Sequence, residues 1–234
     1  MTTDPQPPTI IRHVRSGQIC CDPTWEAAYQ RFETPAEEIN KFIRRLTRFG
    51  FRDLPKDARI VEIFCGRGNG LVALEQMGFT NLAGVDLSDS LLEQYRGPAT
   101  LHLADCTDLP LNADSYDIVI VQGGLHHLPK LPEDVDLCLQ NVNRILKPEG
   151  TLYVVEPWST PFLTFVHFVV EQPLMRKIYA KGDALAEMTD HERVTYERWL
   201  GQPDAIMGLL ERHFITKTKR ISWGKLMYAG SPQR

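Results

Sequence analysis

Val61-Glu62-Ile63-Phe64-Cys65-Gly66-Arg67-Gly68-Asn69-Gly70 runs from an apolar strand pattern directly into a helix pattern. The strand reads as Arg59–Phe64 and the helix as Gly68–Met77, with Gly78 as its stop signal. Glycines stand at 66, 68 and 70 between them. A glycine is needed where a ligand must touch backbone, because any Cβ would hold it away. Loops of this kind serve several nucleotide ligands. A dinucleotide fingerprint, G-x-G-x-x-G, would need a glycine where Leu71 stands, which argues against a pyrophosphate ligand.

Outward from this loop, strands and helices alternate. Leu82–Asp86 is a second strand, Ser88 caps a helix through Tyr95, and Thr100–Leu103 is a short third strand. Tyr116–Gln122 (YDIVIVQ) is a fourth, rich in β-branched residues. A helix over Pro132–Leu146 leads through Lys147-Pro148-Glu149-Gly150 to a fifth strand, Thr151–Glu156. Near-continuous apolar strands alternating with helices predict an α/β fold with a parallel sheet covered on both faces. Upstream, apolar residues recur with helical period from Pro35 to Phe49, and Thr34 with Glu37 forms a capping box around Pro35. Downstream, Pro161–Leu200 is helical with a stripe of Phe162, Phe165, Phe168 and Val169, and a helix over 203–212 precedes strands Phe214–Ser222 and Lys225–Ala229.

The 234 residues suit one domain: residues 1–9 disordered, 25–50 a helical cap, 59–156 the ligand-binding core, 157–212 a helical lid over the acceptor region, and 213–234 C-terminal strands. A hydrophobic content of 43% and a charged content of 24% are ordinary for a chain with a real core. The net charge of −4 argues against a polyanionic partner, and the cluster Arg44, Arg45, Arg48, Arg52, Lys56 reads as a solvated helix face. Five cysteines without a CxxC pair indicate neither zinc site nor disulfide framework, and reduced thiols suit the cytoplasm. No apolar run is long enough for a membrane span, and the N-terminus lacks a signal-peptide pattern.

Three acidic or polar strand ends face the same crevice. Asp86 ends the second strand about 20 residues past the glycines, where a carboxylate accepts hydrogen bonds from ribose hydroxyls. Its competing role as an N-cap is already filled by Ser88. Asp105, just past the third strand, can accept from an adenine amino group while the Cys106 amide donates to the ring; the alternative is a turn aspartate. The fourth strand ends at Gln122 and is followed by Gly123-Gly124-Leu125-His126-His127-Leu128.

The ordered set resembles the class I S-adenosylmethionine (SAM) dependent methyltransferases of the small-molecule "methyltransferase 11" type. The matching motifs are the acid-then-glycine loop at Glu62–Gly68, G-x-D-x-S at Gly84–Ser88, D-x-x-x-L-P at Asp105–Pro110, an aromatic-Asp strand followed by His-His-Leu at Tyr116–Leu128, and Leu-Lys-Pro-x-Gly at Leu146–Gly150. The resemblance covers Arg59 to Glu156. It implies a Rossmann-like, mostly parallel seven-stranded sheet, SAM as cofactor and a small-molecule methyl acceptor, with no nucleic acid. It further implies that Glu62 orders the loop, that Gly66 and Gly68 let the methionine part approach, and that Asp86 binds ribose. Leu87 would pack on adenine, Asp105 and Cys106 would read its edge, Gln122 would lie under the sulfonium, and Tyr29 would close over the cofactor. Phe64, Arg67 and Glu149 depart from the family pattern. Phe64 narrows the pocket, and Arg67 either meets the cofactor carboxylate or lies on the surface.

Methyl transfer requires chiefly alignment of nucleophile, methyl and sulfur. His127 is the candidate general base, with His126 beside it, although paired histidines also shape loops. Glu156 either positions a polar acceptor or braces the loop. The Phe162–Val169 stripe is either core or the wall of an apolar acceptor pocket. Two other readings stay open on sequence: a nucleic-acid or protein methyltransferase, against which the missing basic stripe counts, and a nucleotide-binding oxidoreductase or silent scaffold.

Overall fold

The computed structural model describes residues 8–14, 23–170 and 180–234. Its central strands are β2 (Arg59–Ile63), β3 (Asn81–Asp86), β4 (Thr100–Leu103), β5 (Tyr116–Gln122) and β6 (Leu146–Pro157). Side chains alternate across a strand, so each strand divides its apolar residues between two faces. Ile60, Ile118 and Ile120 pack on one face with Phe42, Leu46, Leu71 and Leu74. Val61, Ile63, Val119 and Val121 pack on the other with Val135, Leu139, Val142 and Leu210. The first layer comes from α2 (Pro35–Arg48) and α3 (Asn69–Gln76), the second from α5 (Glu133–Ile145) and α8 (Pro203–His213). The remaining helices are α1 (Pro23–Phe32), the short α4 (Asp89–Leu92), α6 (Pro161–Val170) and α7 (Ala180–Leu200).

Strands β7 (Phe214–Ser222) and β8 (Lys225–Pro232) form a hairpin at one edge, β1 (Thr9–Arg12) lies at the other, and the sheet order is β1-β4-β3-β2-β5-β6-β8-β7. All pairings are parallel except β6 with β8 and β8 with β7. Trp223 and Gly224 link the hairpin, both with positive φ (52° and 71°), as a two-residue turn that follows the strand twist requires. The chain crosses from one side of β2 to the other between β4 and β5. The carboxyl ends of β2 and β5 therefore part above a crevice.

The capping box is present as expected: the Thr34 hydroxyl accepts from the Glu37 amide, and the Glu37 carboxylate accepts from the Thr34 amide. Four expectations need correction. The sheet has eight strands rather than seven, because β1 (Thr9–Arg12) adds in parallel to the β4 edge, with Arg12 paired to Asp89 at 2.8 Å. Thr9 thus begins a strand, whereas residues 1–7 of the stretch expected to be disordered lie outside the described residues. Helix α4 stops at Leu92, short of Tyr95, because the Gln94 and Tyr95 amides bond carbonyls three residues back, tightening the chain into turns ahead of Gly97-Pro98. The Lys147–Gly150 turn lies within β6: Leu146 pairs with Tyr116, and the register shifts before Thr151 meets Ile118. Finally, Phe162, Phe165 and Phe168 on α6 are exposed rather than core. Residues 171–179, read as part of one long helical lid, lie outside the described residues.

Candidate functional site

A cleft of about 680 Å³ opens where the sheet order switches, a size suited to a small ligand and cofactor. It is lined by Glu62, Gly66, Asp86, Leu87, Asp105, Cys106, Gln122, His127 and Tyr29, so nine of the ten residues expected from sequence come together in it. Gly68 is the tenth and does not line it. A Cβ on Gly68 would overlap the Tyr95 ring, on the protein side of the loop. Gly68 takes a left-handed turn (φ 79°), and its bare Cα makes room for the Tyr95 ring. Gly66 does face open space: a Cβ there would meet nothing closer than Leu91, at 3.9 Å.

Glu62 lies beneath the loop. A Cβ on Gly70 would overlap both of its carboxylate oxygens, so the third glycine makes room for the acid rather than for a ligand. Gln122 Nε2 donates to Glu62 Oε1 at 3.2 Å. Glu62 Oε2 and Gln122 Oε1 are buried with no hydrogen-bond partner among the described residues. Burial pushes the Glu62 carboxyl up to about 8, partly offset by the Gln122 hydrogen bond.

Asp86 holds the loop from the other side. Its Oδ2 accepts from the Gly66 amide at 2.7 Å and its Oδ1 from the Ser88 amide at 2.9 Å. Burial raises its pKa, and the backbone amides oppose that rise. The Leu87 amide is a third backbone donor to this carboxylate, whose roughly four lone-pair sites leave room for a hydroxyl donor. Asp105 Oδ1 accepts from the Thr107 amide and hydroxyl, both at 2.8 Å, so it makes the aspartate turn and lines the cleft as well.

The departures from the family pattern have partners. Phe64 takes φ 61°, the left-handed region that glycine usually fills, and its ring occupies the place of a Cβ on Gly124. Arg67 is neither on the surface nor free: it donates to Glu38 at 3.1 Å and lies over the Tyr29 ring at 5.0 Å. Asn69 donates to the same Glu38 oxygen at 2.6 Å. Glu38, on α2, thus ties the helical cap to the glycine loop, a role no local sequence signal announced. Arg45, read as solvated, turns into the cleft instead.

At the far end, Glu156 is fully buried and does not line the cleft; it braces the loop after β5. Its Oε1 accepts from the Gly124 and Leu125 amides, each at 2.8 Å, and its Oε2 pairs with His126 Nδ1 at 2.7 Å. Burial opposes charge on His126, but Glu156 and Glu192 outweigh it and push the ring up to about 9. Burial and the neighbouring His126 charge push His127 below the ordinary histidine range. Glu192 and Met188 of α7 also line this end. Sequence reasoning missed both, because only packing brings a helix some 65 positions further along the chain over the His pair.

Against known proteins, residues 61–154 match the sequence profile described as a methyltransferase domain. A demethylmenaquinone methyltransferase of Staphylococcus aureus is 27% identical over 140 residues, 54% of this chain and 56% of that protein. The chain thus matches just over half the length of its curated relatives. A solved structure from Pyrococcus horikoshii superposes with TM-score 0.67 at 14% identity, covering 91% of this chain and all of the other. A SAM-dependent methyltransferase from Mesorhizobium loti gives 0.54 at 19% identity, covering 80% and 97%. Residues 61–154 thus match a methyltransferase domain, and the chain shares the Rossmann-like α/β fold of the solved structures it resembles. No helix among the described residues is long and apolar enough to cross a membrane.

Two tests follow from this geometry. Gly68→Ala should destabilise the fold by about 1–3 kcal/mol through overpacking. In a urea-denaturation double-mutant cycle with Tyr95→Ala, the pair should cost less than the sum of the singles by about 0.5–3 kcal/mol. Additive losses would remove the ring as the reason for the glycine. The second test concerns Glu62, which keeps its proton in the folded chain between its ordinary 4.5 and about 8, where the unfolded chain has lost it. Stability should therefore fall as pH rises through that window, by up to about 1.4 kcal/mol per pH unit. Glu62→Gln should flatten this part of the Tm–pH curve, and an unchanged slope would place the ionised carboxylate in a better-solvated setting.

Proposed function

We propose that the protein transfers the methyl group of SAM to a small, mainly apolar acceptor bound between the ends of β5 and β6 and helix α7. The observation that carries this reading is the pair of donorless buried oxygens, Glu62 Oε2 and Gln122 Oε1, beside the open face of Gly66. A buried acceptor without a donor is costly. A ligand bearing an ammonium group and a sulfonium next to it suits two such oxygens better than an anionic pyrophosphate does.

When bound, SAM supplies a methyl group on positively charged sulfur that needs no further activation. The chain's own residues align and shield. Glu62, Gln122 and the Gly66 backbone would hold the amino-acid end. Asp86 would use its remaining lone pairs for the ribose, while Leu87, Asp105 and the Cys106 amide would face the adenine. Orientation of this kind is worth several kcal/mol. The name of the S. aureus relative supports a small-molecule acceptor with an apolar body. The net charge of −4 favours such an acceptor over a nucleic acid.

Isothermal calorimetry tests the cofactor half. SAM should bind the parent chain, and Asp86→Asn, which preserves shape, should weaken it by a charge-assisted hydrogen bond, about 1.5–3 kcal/mol or roughly ten- to a hundredfold. A folded variant with unchanged affinity would remove Asp86 from the ribose site. For the acceptor half, methyl-labelled SAM is incubated with the enzyme and metabolite extracts, and the products are read by mass spectrometry. Label found in polynucleotide or protein alone would overturn the small-molecule reading.

A further inference from the structure

We propose that His126 Nε2, His127 Nδ1 and Glu192 Oε2 form a binding site for one divalent transition-metal ion of the zinc type, open to the acceptor end of the cleft. Glu192 Oε2 lies 3.6 Å from His126 Nε2 and 3.6 Å from His127 Nδ1. All three ligand atoms lie within 4.8 Å of one another. Both 3.6 Å contacts are too long for hydrogen bonds. They are close to the spacing that bonds of about 2.0–2.2 Å to a shared tetrahedral ion impose, roughly 3.3–3.5 Å between ligand atoms. The other oxygen of the same carboxylate, Glu192 Oε1, is buried and has no hydrogen-bond partner among the described residues. A carboxylate drawn between two imidazoles, with its second oxygen unsatisfied, calls for a cation.

The surrounding contacts prepare the ligands. His126 Nδ1 lies 2.7 Å from Glu156 and can keep its proton there, so a metal ion would displace the proton that the charged ring carries on Nε2, the atom facing Glu192. Glu156 is itself fixed by the Gly124 and Leu125 amides. The His127 ring also bonds the Gly123 backbone. A carboxylate behind the ring, as Glu156 is behind His126, helps aim it at a metal. Two nitrogens and one carboxylate oxygen favour zinc and its transition-metal neighbours over calcium or magnesium, which take all-oxygen sets. Three protein ligands leave a fourth position, and His127 and Glu192 both line the cleft, so that position faces the acceptor. Resting on the methyltransferase reading, an acceptor hydroxyl bound there would lose its proton more readily. The ion would also pin α7 to the loop after β5.

The test uses the full chain, stripped with a chelator and titrated with Zn²⁺ against a chromophoric competitor. The parent should bind one equivalent more than Glu192→Gln or His127→Gln, and Co²⁺ should give the visible absorption of a tetrahedral site. Glu156→Gln should retain the equivalent with affinity lowered roughly ten- to a hundredfold, as for a group that orients a ligand. Thermal melts confirm that each variant is folded, and Glu192→His, which replaces one ligand by another, should restore binding if Glu192→Gln loses it. No binding by the parent, or the same stoichiometry in both ligand variants, overturns the site and leaves an imidazolium–carboxylate cluster. SAM calorimetry on the same samples separates the two readings: SAM binding without Zn²⁺ overturns only the metal site, and Zn²⁺ binding without SAM overturns only the methyltransferase assignment.

Discussion

The turn from β2 into α3 must pass over a buried carboxylate and still leave its outer surface bare. Glu62 lies underneath, in the space that a Cβ on Gly70 would take, and Tyr95 presses against Gly68. Asp86 holds the Gly66 amide at 2.7 Å. The protein side of the loop is thereby filled, and of its three glycines Gly66 is the one that lines the cleft. The rest of the site depends on this arrangement. The loop cannot relax toward the ligand without uncovering Glu62, and Glu62 cannot ionise at little cost inside it. Burying a carboxylate with one unsatisfied oxygen opposes folding. Such a cost is retained where a bound ligand relieves it.

Two departures from the family pattern illustrate how a fold absorbs change at a fixed site. Phe64 occupies a left-handed position at some strain, and the bare Cα of Gly124 on the neighbouring strand end makes room for its ring. Arg67 would be an isolated buried cation but for Glu38, which it shares with Asn69. That shared carboxylate also fixes α2 and, through the Arg67–Tyr29 contact, α1 against the loop. The helical cap is thus part of the cleft wall rather than an appendage.

The two histidines after β5 have unlike surroundings. His126 is buried and backed by Glu156, while His127 is the more open to the cleft. A ring held by a buried carboxylate is poorly suited to taking up a proton from an acceptor, because the pairing already favours its charged form. His126 is therefore better placed to brace the loop after β5 through Glu156 than to act as a base.

Much of the frame was legible in the chain. The alternation of β-branched strands with helices, the glycine loop, the Thr34 capping box and the order of the acidic strand ends all act over a few residues, so local chemistry determines them. These were enough to place Asp86, Asp105 and Gln122 on one crevice, because the carboxyl ends of neighbouring parallel strands must converge. Strand β1 was not legible: four residues in a proline-rich stretch carry too little pattern, and only the free edge of β4 makes them a strand. Nor did spacing reveal whether a glycine serves a ligand or a neighbour; Gly68 and Gly70 were separated from Gly66 only by where Tyr95 and Glu62 lie. Glu38, Arg45, Met188 and Glu192 belong to helices whose surface pattern looks ordinary in sequence. Their meaning comes from which strand ends those helices cover, and that is set by packing across the whole domain rather than by any stretch of residues alone.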